Sequence, residues 1–176
     1  MMRETSAGGV VVRKREGEWW MVAIEPAKEL TGSTEAEPET ARTERTKTGR
    51  ARTPILALPK GLVDPGEKAR DTAVREVFEE SGITAEPIIK LADIKYVYTR
   101  SWGDRQRVFK IVSFYLMRYR SGRIDEIAPE MRVEVARAQW IRLEDAPKML
   151  AYSGEKKMGR LALEYVGAHP DLETES

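Results

Sequence analysis

The sequence predicts an α/β (α+β) protein: one domain with a mixed β-sheet and helices on its faces. Three observations carry this. Short apolar runs rich in β-formers recur along the chain, bounded by turn residues. Two longer segments carry the 3.6-residue apolar period of helices instead. The length of 176 residues suits one domain, and 41% apolar residues are enough for one sizeable core. Periodicity alone leaves the topology open.

Residues 6–12 (Ser-Ala-Gly-Gly-Val-Val-Val) read as a buried strand, and residues 19–24 as a second. Gly17 supplies a turn between them, so the two should pair. Residues 28–53 are rich in Thr, Glu, Arg and Gly and nearly devoid of large apolar side chains. Such a segment buries too little to offset its ordering entropy, so it reads as a flexible insertion. The alternative is a substrate lid using Arg42, Arg45, Lys47 or Arg50. Residues 54–58 read as a short strand and 59–66 as a loop. Residues 68–81 form a helix stopped by Gly82. Residues 88–98 are a strand pair or one long bent strand. Residues 107–118 and 133–143 are further strands, the latter with Trp140 near its end. Glu144 opens a helix, and 155–166 a second one with Met158, Leu161, Ala162 and Tyr165 on one face. The domain should span 1–170, with 171–176 as a tail.

Composition excludes several chemistries. Without cysteine there is no disulfide, thiol nucleophile or cysteine-bound zinc. One histidine, His169, argues against a histidine triad or multi-histidine metal site. The 30 basic and 29 acidic residues leave a net charge of +1, with no global pull toward nucleic acid or anionic membrane. No apolar run reaches the roughly 20 residues of a membrane span, and no signal peptide is visible. A soluble cytoplasmic protein is expected.

Glu76, Glu79 and Glu80 fall within an arc of roughly 100° on the helix 68–81. Val74, Val77 and Phe78 lie mainly opposite and are expected to face the core. Three carboxylates on one face, in the half of a helix where its dipole disfavours negative charge, need compensation. A hard, oxygen-bound divalent cation supplies it, and Mg²⁺ suits a few carboxylates plus substrate phosphates. Arg75 and Glu67 offer an internal pair that fixes the helix to the loop before it.

The full string is Gly61, five residues, Glu67, seven residues, Arg75-Glu76-Val77-Phe78-Glu79-Glu80-Ser81-Gly82-Ile83. It resembles, at every specified position, the signature box of the Nudix hydrolases. Ala7-Gly8-Gly9-Val10-Val11, Leu58-Pro59-Lys60-Gly61 and Trp140 are similar to that family as well. The resemblance covers most of the chain outside 28–53. It implies the Nudix fold and cleavage of nucleoside diphosphates linked to another moiety. It implies that Glu76, Glu79 and Glu80 bind metal, Mg²⁺ or Mn²⁺ in its place, with the Gly61 carbonyl as a further ligand. The base is then one of these glutamates or one from a later loop. Glu134 stands where some members carry that extra glutamate, and Glu126 and Glu130 compete less well. Glu67 and Arg75 orient.

A metal-bound water attacking phosphorus in line needs positive charge on the departing phosphate. Lys60, Arg105 and Arg107 are the candidate phosphate contacts, and Tyr96, Tyr98 or Trp102 could stack on a base. The sequences around 58–61, 96–98 and 114–117 are similar to diadenosine polyphosphate hydrolases and the related diphosphoinositol polyphosphate group. A dinucleoside polyphosphate is therefore the preferred substrate. ADP-ribose-type nucleotide sugars, nucleoside triphosphates (including oxidised ones) and the 5′ end of RNA are alternatives. A nucleotide sensor without turnover is a reading of another class. The expected partner is a small nucleotide, without membrane or duplex nucleic acid, and a homodimer is compatible.

Overall fold

The computed structural model describes residues 1–27 and 54–175. The insertion at 28–53, with Arg42, Arg45, Lys47 and Arg50, lies outside the described residues. The chain runs β1 (Met2–Arg15), β2 (Glu18–Pro26), β3 (Lys60–Leu62), α1 (Ala69–Ser81), β4 (Ile83–Thr99), β5 (Arg107–Gly122), β6 (Val135–Arg142), α2 (Ala146–Met149) and α3 (Ser153–Ala168). The sheet order is β4-β5-β1-β2-β6, with β3 beside β1. It is mixed, because β1 and β5 run parallel while the other pairs are antiparallel.

β1 and β2 pair as predicted, from Val12↔Met21 to Arg15↔Glu18. Their two-residue turn takes positive φ at both Glu16 (52°) and Gly17 (81°), the twist that matches a right-handed hairpin. One edge of β1 bonds β5 over eleven residues, Met2↔Val108 to Val12↔Arg118. The other edge is divided: residues 12–15 bond β2, and residues 6–8 bond β3. This division opens the sheet between β2 and β3.

Several boundaries differ from expectation for visible reasons. Residues 54–58 form no strand; Ala57 bridges Ile24 and Leu56 bridges Leu150, one contact to each side. Pro54 and Pro59 flank them without N–H donors, which limits any ladder. Conversely, Lys60–Leu62, expected in a loop, is a strand because β1 offers it a free edge. The segment 88–98 belongs to one long strand starting at Ile83 and bent by three register shifts. The last strand begins at Val135, not 133, because Pro129–Val133 is a 3₁₀ turn. The helix at Glu144 is a 3₁₀ turn leading into the four-residue α2. The tail is partly structured: Pro170–Glu175 is a 3₁₀ helix, with Leu172 buried in the main core.

The strand period of two sends alternate residues to two cores. Ala7, Val11, Val22 and Met117 pack against Ala73 and Val77 of α1. Val10, Val12, Phe114 and Leu116 pack against Met158, Ala162 and Val166 of α3. Each Val, Leu, Phe or Met among them contributes about 1.5–3 kcal/mol by leaving water, each Ala less. Among the described residues no helix is long and apolar enough to cross a membrane.

Candidate active site

The box folds as a strand edge, a loop and a helix. Gly82 ends α1 at φ 83°, its N–H donating to the Phe78 carbonyl, as the glycine predicts. At the other end Arg75 ties helix to loop. Its Nε and Nη2 each donate to Glu67 at 2.9 Å, a two-pronged pair, and Nη2 also reaches the Leu62 carbonyl at 3.2 Å. Thr72, fully buried, donates its hydroxyl to Glu67 at 2.6 Å. Arg75 and Thr72 together hold the Glu67 carboxyl down at about 2. The remaining Arg75 nitrogen bridges Glu76 (2.9 Å) and Glu79 (3.2 Å).

The expected division of α1 into an apolar back and a carboxylate front is corrected. Thr72, Ala73, Glu76, Val77 and Glu80 form its buried flank, while Phe78 is 53% exposed. Val77 faces the core as expected, and Val74 is half-buried against it. Phe78 points to water because α1 turns two carboxylates inward, toward the segment 58–61. Glu80 accepts the Lys60 backbone N–H at 3.0 Å. Glu76 fills the space beside Gly61: a Cβ there would stand 2.1 Å from the Glu76 carboxyl carbon.

Burial pushes the Glu76 carboxyl up to about 7, with Arg75 opposing and the charges of Glu79 and Glu134 adding. Burial likewise raises Glu80 well above the usual carboxylate range, against the Lys60 N–H and with Glu76 and Glu134 adding. Glu134, ending the 3₁₀ turn before β6, thus lies close enough to repel both; its backbone carbonyl accepts from Ala27 at 3.0 Å.

The remaining candidates are spread along the sheet. Lys60 sends its side chain to the α3 side, 3.7 Å from Glu155. Tyr96 also packs on that side, beside Tyr98, whose hydroxyl donates to Glu4 at 2.9 Å. Arg105, Arg107 and Trp102 are exposed at the β4–β5 turn, with Trp102 under the Arg100 guanidinium. Arg107 lies six residues, roughly 20 Å, along β5 from Ser113, which is level with the Ala7–Gly61 pair. The fold therefore gathers Gly61, Glu67, Arg75, Glu76, Glu79, Glu80, Glu134 and the Lys60 backbone, but not the Lys60 side chain, Tyr96, Tyr98, Arg105 or Arg107. Sequence reasoning missed Thr72 and Glu155. The only signals for these were a hydroxyl five residues after Glu67 and an acid in a helical first turn.

The donor set fits a hard divalent cation. It offers only oxygen, and two of its carboxylates are desolvated and mutually repelled, a condition that a cation relieves. In the present side-chain arrangement no three acidic groups among the described residues converge as a ready cage. Glu79 is instead engaged by Arg75.

The profile of the NUDIX domain matches residues 9–162, most of the chain. The chain belongs to the NUDIX family. Among curated NUDIX-like relatives, the "Putative mutator protein MutT4" of Mycobacterium tuberculosis is 38% identical over 112 residues, 64% of this chain and 42% of that one. The "Putative 8-oxo-dGTP diphosphatase" of Bacillus subtilis is 44% identical over 57 residues, 32% of this chain and 36% of that one. The chain thus spans less than half the length of these two relatives. Among solved structures, a C. elegans Ap4A hydrolase binary complex shares the NUDIX fold at a TM-score of 0.61 and 20% identity, over 94% of this chain and 98% of that one.

Proposed function

We propose that this NUDIX protein is a Mg²⁺-dependent pyrophosphohydrolase that cleaves a phosphoanhydride in a nucleoside diphosphate derivative. The observation that carries the reading is the pair of buried carboxylates, Glu76 and Glu80, set against Gly61 and the Lys60 N–H. Glu76, Glu79, Glu80 and the Gly61 carbonyl would hold the ion. Bound there, it supplies positive charge at the phosphoanhydride and acidifies a water. Arg75 and Glu67 fix the helix against its loop, so the carboxylates are set before substrate arrives. A carboxylate oxygen of Glu134 accepts the attacking water's proton; the side chain is exposed and its charge acts on both Glu76 and Glu80. Lys60 contributes through its backbone, whose N–H seats Glu80, while its side chain is turned to Glu155.

The preferred substrate is a dinucleoside polyphosphate. This preference rests on the likeness of residues 58–61, 96–98 and 114–117 to diadenosine polyphosphate hydrolases, since Arg105 and Arg107 lie too far along β5 to share a phosphate track with the α1 carboxylates. A second reading, hydrolysis of an oxidised nucleoside triphosphate, draws on the likeness to the Bacillus subtilis diphosphatase. The test is turnover of diadenosine polyphosphates, ADP-ribose, nucleoside triphosphates, 8-oxo-dGTP and triphosphorylated RNA, with and without Mg²⁺. Metal-dependent turnover with diadenosine polyphosphates leading is expected. No turnover of any of them with either Mg²⁺ or Mn²⁺ would sink the enzymatic reading.

A further inference from the structure

The geometry points to Glu155 as a positioning residue: from α3, on the opposite side of the sheet, it anchors the segment 58–61 that seats the α1 carboxylates. This rests on reading those carboxylates as catalytic.

Glu155 is fully buried, on the first turn of α3. Its Oε1 accepts the Leu58 backbone N–H at 2.6 Å, across 97 residues of sequence. Its Oε2 lies 3.7 Å from the Lys60 ammonium. Burying a carboxylate is costly, so a merely structural site would be as well served by an apolar side chain. Here the charge sits where a helix N-terminus favours it and where it grips two points of one short segment. That segment is also gripped from the other side. The Lys60 N–H goes to Glu80, the Pro59 carbonyl accepts from Gly9 at 3.2 Å, and Gly61 abuts Glu76. Carboxylates from two helices on opposite faces of the sheet thus fix the same backbone.

The test compares Glu155→Met, which keeps the volume and removes the acceptor, with Glu155→Gln, which keeps an acceptor for Leu58. Each is examined well below its melting temperature. Three quantities are read: kcat and KM on diadenosine tetraphosphate and 8-oxo-dGTP, Mn²⁺ affinity by calorimetry, and hydrogen exchange of the Lys60 amide. In Glu155→Met, kcat falls about tenfold (about 1.4 kcal/mol of barrier) with KM changed far less. Mn²⁺ binding weakens and the Lys60 amide exchanges faster. Glu155→Gln recovers most of all three. A folded Met variant with wild-type kcat and Lys60 exchange overturns the proposal, and so does a Gln variant as impaired as Met. Should the Met variant not fold, Glu155→Asp, one methylene too short, takes its place; wild-type values there overturn it equally. Glu80→Gln is the reference. If it retains full turnover, the catalytic reading fails, whereas loss there beside wild-type Glu155 variants defeats only the role of Glu155.

Discussion

At the scale of single residues, the site is made by close approach. Gly61 is a glycine because the Glu76 carboxyl occupies the place where a side chain would stand. Gly61→Ala should cost about 1–3 kcal/mol of stability, as overpacking does, and at least tenfold in turnover. A thermal melt and kcat/KM check the two effects separately. Arg75→Lys is a second case. Lysine keeps the charge but loses the planar fork that holds Glu67 while bridging Glu76 and Glu79. Activity should drop about 10–100-fold, the usual loss when a group orienting metal ligands is removed. Wild-type kcat in this variant would show that the fork is dispensable. Glu79→Gln should abolish Mg²⁺-dependent turnover with the melting temperature nearly unchanged, since Glu79 is the least buried of the three.

At the scale of elements, Glu134 is delivered by a turn that Asp125 secures. Asp125 accepts from Arg132 and from the Ala138 N–H, both at 2.8 Å. Arg132 and the Ala138 N–H hold its carboxyl below the usual range. Its folded pKa is therefore lower than its unfolded one. The stability it contributes is fully present above the ordinary aspartate pKa and is lost as pH falls through the depressed value. Asp125→Asn should flatten the acid limb of melting temperature against pH, below the ordinary aspartate range of about pH 4. An unchanged limb would show that other groups dominate it. Elements also show where the sequence is readable. α1 was legible because Gly61 to Ile83 keeps its spacing and its cap within one local stretch. β3 was not, because three residues between Pro59 and Pro65 become a strand only when β1 presents its edge. Nor was the inward turn of Glu76 and Glu80: helical periodicity favours burying Phe78, and only contacts with Lys60 and Gly61 reverse that. Glu155 was illegible for the same reason, its partner lying 97 residues away.

At the scale of the whole molecule, the larger core closes around Phe114, which is fully buried between sheet and α3. Phe114→Ala should destabilise the protein by about 3–5 kcal/mol in chemical denaturation, and a loss under 1 kcal/mol would contradict this packing. The central strand has a further consequence. β1 lies beside β5, so Val12 waits for Arg118 before its ladder is complete. During synthesis, the first hairpin, complete at Pro26, therefore emerges with one long edge bare until the 92 further residues to Arg118 (118 − 26) have left the ribosome. Closing that distance is entropically slow, and a bare edge is a template for other chains. Refolding should accordingly be sluggish and sensitive to protein concentration, which refolding yields at rising concentration would show.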